Sequence, residues 1–196
     1  NLADLSNEQG LAREEFHETT LELTVADSLK LEQLLKAHRI TMNTTLQFIW
    51  GLLLHLHSGN KTITFGSVSS GRSGLHCVKH GDQMVGLCIN TTPTCIEFDA
   101  RLNLLEQLKQ MQSRESHKLH FESTSLTRIQ ELLGYSKNEE FFQTLFVYEN
   151  YPVDETLKAQ KGSFEIQDFR VDERANYPLF VRAGLGSRLL LETTYD

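Results

Sequence analysis

Between His17 and Val25 the chain alternates, with Thr19, Leu21, Leu23 and Val25 on one parity and Glu18, Thr20, Glu22 and Thr24 on the other. Successive strand side chains point to opposite faces, so this period of two predicts a strand with one wet face. The period then changes. Leu31, Leu34, Leu35 and His38 recur at helical spacing, which predicts a helix that Asp27 or Ser28 caps and that ends near Arg39. A second helix is predicted behind Thr41 or Asn43, with Leu46, Ile49, Trp50, Leu53 and Leu54 as a wide core-facing stripe and Ser58-Gly59 as its glycine stop.

Further along, Lys61–Val68 reads as a buried strand that leads into the Gly- and Ser-rich turn Ser69–Gly74. Val85–Phe98 is a second extended segment, punctuated by Gly86 and Pro93. Asp99 is expected to cap a long helix marked by Leu104, Leu105, Leu108 and Met111, and a shorter helix is predicted from Ser125 to Leu133, ended by Gly134. Four strands are expected to close the chain: Phe141–Tyr148, Phe164–Val171 paired with Leu179–Ala183, and Arg188–Tyr195, with Lys158–Gly162 as an exposed loop. Strands and helices interleaved in this order imply an α/β fold in which helices pack against a mixed sheet.

Composition narrows the function classes. With 196 residues, 39% of them hydrophobic, the chain can fill one sizeable core, so one globular domain is expected. The net charge of −7, without a Lys/Arg cluster, argues against nucleic acid as a partner. The longest apolar stretch, Phe48–Leu54, falls far short of the roughly 20 residues that span a bilayer, and no signal-peptide pattern appears. No membrane association and a soluble, cytoplasmic setting are therefore expected. Cys77, Cys88 and Cys95 are odd in number and lack CxxC spacing, so reduced thiols are expected, with neither a disulfide framework nor a zinc knuckle.

Five blocks carry more specific information: SGR at Ser70–Arg72, MVGLCINTTP at Met84–Pro93, HKLHFE at His117–Glu122, LFVYENYPVD at Leu145–Asp154 and RANYPL at Arg174–Leu179. In order and spacing they resemble the condensation domains of nonribosomal peptide synthetases. The resemblance implies a chloramphenicol acetyltransferase-like lobe, a mixed β-sheet flanked by helices. That family carries its catalytic histidine in an HHxxxDG motif of an N-terminal lobe, whereas no two histidines are adjacent here and His80-Gly81-Asp82 has the wrong order. All five blocks belong to the family's C-terminal lobe. The expectation is thus a remnant of the inter-lobe connection at 1–16, the C-terminal lobe at 17–196, and no catalytic residue or metal in this piece.

The implied reaction joins two carrier-bound thioesters: the acceptor's amine attacks the donor's carbonyl. Each substrate arrives on the phosphopantetheine arm of a carrier protein, and no cofactor is bound directly. The implied partners are the N-terminal lobe of the same domain, peptidyl carrier proteins and an adjacent adenylation domain. A rival reading is a non-catalytic module that docks carriers or a partner lobe. A complete small acyltransferase would need a histidine motif that is absent. Epimerization and cyclization domains share this lobe, although GLCINTTP and NYPL look more like ordinary condensation members.

The candidate tunnel and motif residues are Arg72, Gly86, Asn90, Thr91, Asn150 and Asn176. By resemblance, the SGR turn sits at the tunnel mouth and Cys88–Thr91 passes along its floor, with Cys88 where the family usually has an aromatic. Arg72 has a plainer reading as a turn brace, since its five donors satisfy carbonyls readily. Asn90 can brace a turn and offer a hydrogen bond into a cleft, or simply pin its own backbone before Pro93. Asn150 and Asn176 precede Tyr-Pro at strand ends; the resemblance turns both regions toward the other lobe or the acceptor side, and the alternative is strand termination alone. The stretch Tyr151–Phe164 would be an arm that crosses to the other lobe.

Several weaker patterns point elsewhere. Gly66–Ser73 approaches a phosphate-binding loop, but Arg72 stands where lysine is needed and no helical period follows. His76, Cys77, His80 and Asp82 match no zinc spacing and read as solvated loop residues. His55 and His57 lie on different faces of their helix, as surface or boundary residues, and His117 and His120 suit a helix C-terminus electrostatically more than they suit catalysis.

Overall fold

Strand β1 (His17–Glu22) stops two residues before helix α1 (Val25–His38), and Thr24 between them is the cap: its Oγ1 accepts from Asp27 N–H at 3.1 Å. The cap expected at Asp27 or Ser28 therefore moves upstream. Asp27 completes the cap by accepting from Thr24 Oγ1, and Ser28 is spent elsewhere. Buried at 2% exposure, Ser28 donates to Thr24 O at 2.9 Å and accepts from Leu189 N–H at 2.9 Å, tying the helix to the sheet. The computed structural model describes residues 17–72, 85–136, 139–149 and 176–195.

Helix α2 (Met42–Ser58) is capped by Thr41, the first of its two candidates, and stops at Gly59, as expected. Asn43 instead accepts from Gln47 Nε2 on the same helix. Helix α3 (Leu104–Lys118) is capped by Asn103 in a reciprocal capping box with Glu106, not by Asp99. The Asp99 carboxylate is taken by the Arg101 guanidinium, whose hydrogen bonds hold it at about 2, below the usual carboxylate range. A 3-10 turn, Leu119–Phe121, leads on to helix α4 (Leu126–Leu133), which Ser125 and Gly134 bound as expected.

The remaining strands are β2 (Thr62–Ser69), β3 (Asn90–Glu97), β4 (Thr144–Glu149), β5 (Leu179–Leu185) and β6 (Leu189–Tyr195). They form one sheet in the order β1-β6-β5-β4-β2-β3, parallel at β2/β4 and β4/β5 and antiparallel elsewhere, so the expected mixed sheet is present. Two expectations change. Residues 85–89 lie outside β3, and both edges of β5 are occupied by β4 and β6, which leaves no edge for the pairing foreseen with Phe164–Val171. That segment, the Lys158–Gly162 loop, the Tyr151–Phe164 arm and the connection at 1–16 lie outside the described residues.

Registers place Ile63 and Phe65 of β2, Ile96 of β3, Phe146 of β4, and Val181 and Ala183 of β5 on one face of the sheet. They meet Leu35 of α1, Met42, Leu46 and Phe48 of α2, and Leu108 and Met111 of α3 in a single core. This is the helix-on-sheet packing that the interleaved pattern implied.

Ser28→Ala should leave the buried Leu189 N–H without its acceptor and lower stability by about 1–3 kcal/mol in denaturant unfolding. The exposed control Ser58→Ala should change it by less than about 0.5 kcal/mol.

Candidate functional site

The motif blocks converge at one end of the sheet. Ser69, the last residue of β2, is the register partner of Asn90, the first of β3. Because β4 runs parallel to β2, the carboxyl end of β4 at Glu149 lies at the same end. From here the SGR turn leaves the sheet. Gly71 has φ of +64°, and a Cβ built on it would stand 1.8 Å from the Cys88 carbonyl oxygen. The turn is therefore pressed against the Cys88–Thr91 segment with room for glycine alone.

A buried clasp holds these two segments from behind. Asn90 Nδ2 donates to Glu122 O at 2.7 Å and to Thr124 O at 2.9 Å, so both amide hydrogens go to the connection between α3 and α4. The Glu122 side chain, 3% exposed, accepts from Ser69 Oγ at 2.5 Å. One residue thus ties the carboxyl end of β2 and the amino end of β3 to the same turn. Of the two readings of Asn90, bracing holds, but the turn braced lies more than thirty residues away. Only its Oδ1 remains to face a ligand.

Deeper under α3, a second polar network fixes the same two strands. Lys118 Nζ donates to Ser67 Oγ at 3.0 Å and Thr94 Oγ1 at 2.7 Å and pairs with Glu115 at 2.8 Å. Thr94 Oγ1 donates to Gln47 Oε1 at 3.1 Å and lies 2.8 Å from Ser67 Oγ, whose hydroxyl also reaches Thr92 O at 3.3 Å. Gln47, 2% exposed, passes its own hydrogen to Asn43. Glu122 and Lys118 were the residues missed by sequence reasoning. The HKLHFE block marked them, yet nothing local says that an acid and a lysine on the wet side of a helix end turn inward.

The other candidates fall out unevenly. Arg72 follows Gly71 half-buried, its N–H 3.4 Å from Ser70 Oγ. Thr91 pairs with Val68 on the face opposite Asn90. A side chain at Gly86 would meet open space, and its neighbours Val85, Leu87 and Ile89 are 100%, 90% and 56% exposed, an apolar strip beside the SGR turn. Asn176 stands before β5, at the opposite end of the sheet, where it lines a cleft with Tyr177 and Pro178. The structure does not bring it near Asn90. Asn150, and the His76, Cys77, His80 and Asp82 group, lie outside the described residues.

The remaining alternatives lose ground. Gly66 through Ser69 are strand residues whose backbone serves the sheet, so they do not form a phosphate cradle. His55 stacks on Phe98 at 4.7 Å, with Nδ1 2.6 Å from Asn60 O, and His57 Nδ1 lies 3.0 Å from Leu53 O. His117 and His120 are exposed, their Nδ1 atoms 3.2 and 3.3 Å from Ser113 O and His117 O, which fits helix-end bonding. Among the described residues no helix is long and apolar enough to cross a membrane.

Asn90→Ala should cost about 2 kcal/mol of unfolding free energy, because two carbonyls lose their donor. Asn90→Asp, though isosteric, should cost more at neutral pH, since a carboxylate would face those carbonyls. The introduced carboxyl is raised above its unfolded value of about 3.9, so the extra deficit is fully present above the folded value and shrinks as pH falls toward the unfolded one. Chemical denaturation at several pH values checks both the order and the sign.

The chain is similar to known proteins in sequence and in fold. The chain is 30% identical over 196 residues to bacitracin synthase 3 of Bacillus licheniformis, covering 98% of the chain and 3% of that protein. It is 30% identical over 192 residues to the chondramide synthase of Chondromyces crocatus, covering 98% of the chain and 5% of that protein. It therefore spans a small fraction of these relatives. Among solved structures, the condensation domain of the Monacolin K polyketide synthase superposes with a TM-score of 0.76 at 15% identity, over 93% of this chain and 42% of that one. A holo four-domain nonribosomal peptide synthetase bound to AMP and glycine also gives 0.76, at 16% identity, over 93% of this chain and 15% of that one. The condensation-domain family itself matches residues 1–196 in full, and the chain belongs to that family.

Proposed function

We propose that this chain is the C-terminal lobe of a condensation domain that forms a peptide bond between carrier-bound thioesters. The observation that carries the reading is the SGR turn locked against Cys88, with Asn90 and Ser69 clasped behind it by the Glu122 turn. In the reaction the acceptor amine attacks the donor thioester carbonyl; the C–N bond forms, the C–S bond breaks, and the released thiol takes the proton. Phosphopantetheine arms of peptidyl carrier proteins would tether both substrates, and an adenylation domain would supply the activated residues. The lobe's task is placement. A wall held this firmly keeps reactants aligned, which can be worth several kcal/mol of barrier. No HHxxxDG motif is present in the 196 residues, so the catalytic histidine would come from the N-terminal lobe. The family placement favours a cytoplasmic setting.

A docking module without chemistry is the second reading, and the exposed strip Val85, Leu87 and Ile89 favours it. The two are separated by linking the chain in frame to a condensation N-terminal lobe and following dipeptidyl-carrier product by mass spectrometry. The proposed function expects product from the joined protein, none from the chain alone, and at least about tenfold less after Gly71→Ala, which displaces the tunnel wall. Carrier binding without any product from the joined protein would favour the docking module.

A further inference from the structure

A cleft of about 400 Å³ opens at the far end of the sheet from the Ser69–Asn90 clasp. Leu126 and Leu145 bring one side of it toward the clasp, while its rim, Glu139–Phe142 and Asn176–Pro178, stands at the amino ends of β4 and β5, the opposite end of the sheet. Its volume falls within the roughly 300–1,000 Å³ typical of small-molecule sites. Three aromatic rings form the inner surface. Phe142 and Tyr177 stack at 5.4 Å with 28° between planes, and Phe141 packs edge-on against Tyr135 at 4.8 Å. Leu126 and Gln130 of α4 close one side.

The rim has a definite charge. Glu139 and Glu140 line the cleft, and among the described residues no lysine or arginine does. Among the described residues, Glu139 accepts from Ser136 N–H at 2.8 Å and Glu140 from Gln143 Nε2 at 3.4 Å, so each carboxylate retains acceptor capacity. Gln130 Nε2 donates to Glu139 O at 3.3 Å and fixes the rim to α4. Burial pushes the Tyr177 phenol up, so its ring stays neutral at ordinary pH. A mere packing gap would be apolar throughout. Aromatic faces beneath unneutralised carboxylates instead match a cation attached to an apolar body, which gains from the ring quadrupole and the acids together.

We propose that this cleft binds a small molecule bearing a protonated amine on an aromatic or apolar body, with the amine at Glu139 and Glu140 and the body against Phe141 and Tyr177. The site does not depend on the peptide-bond reading, and its test measures no condensation.

Tryptamine and its uncharged analogue tryptophol are titrated into the full chain, with amide shifts followed by NMR. Tryptamine should bind about tenfold more tightly than tryptophol, with the largest shifts at Tyr177 and Phe141. In a Glu139→Gln/Glu140→Gln variant of unchanged melting temperature the ratio should fall toward one, because both side chains are exposed and serve the fold little. Equal affinity for the two probes, no saturable binding at millimolar concentration, shifts that map elsewhere, or a ratio indifferent to the double variant would each overturn the proposal.

Discussion

Among the described residues, two register pairs, Gly66 with Leu145 and Ser67 with Phe146, join the β2–β3 hairpin to the other four strands. Every other pairing in the sheet is longer. The hairpin carries the SGR turn and Asn90, so the placement of the whole motif end depends on this narrow seam. Backbone bonds alone would leave it prone to rock. Side chains stiffen it instead: Gly66 has no Cβ, which lets the Phe142 ring lie within 2.3 Å of where one would stand. Above the seam, Trp50 Nε1 donates to Thr144 Oγ1 at 3.0 Å, linking α2 to β4, while Phe65 and Phe146 meet fully buried in the core.

The polar networks follow from the same constraint. A hairpin held by apolar contacts alone could slide along the helices, because dispersion and burial are not directional. Lys118 bonded to both Ser67 and Thr94, and Glu122 with Asn90 at the strand ends, specify one register. Among the described residues no buried side-chain nitrogen or oxygen lacks a partner, which makes such networks specifying instead of costly. A wall that positions substrates without reacting needs this kind of rigidity.

Local signals were read well where one residue could do the job. Gly134 after α4 and Gly59 after α2 are isolated stop signals, and the structure uses them, as it uses Ser125 and the first of the two α2 candidates, Thr41. Where several Ser, Thr, Asp and Asn crowd together, propensity alone does not choose: Thr24 displaced Asp27 and Ser28, and Asn103 displaced Asp99 once Arg101 had claimed it. Strand order, and with it the separation of Asn176 from Asn90, is a tertiary property that no periodicity encodes. Glu122 was likewise hidden, since its partners stand 53 and 32 residues away. The family was legible because its blocks summarise those long-range contacts as a fixed order of short motifs.

The central claim is that the motif end of the sheet is held in place by this chain's own residues. Amide hydrogen exchange on the chain by itself tests it most directly, read at residues 67–71, 88–94 and 122–124. The account predicts that Asn90 and its β2 neighbours in the ladder are protected to within about tenfold of the β4 and β5 amides at the core. Exchange there at the rate of unstructured peptide, with the core still protected, would contradict it and make the wall something that only a partner can build.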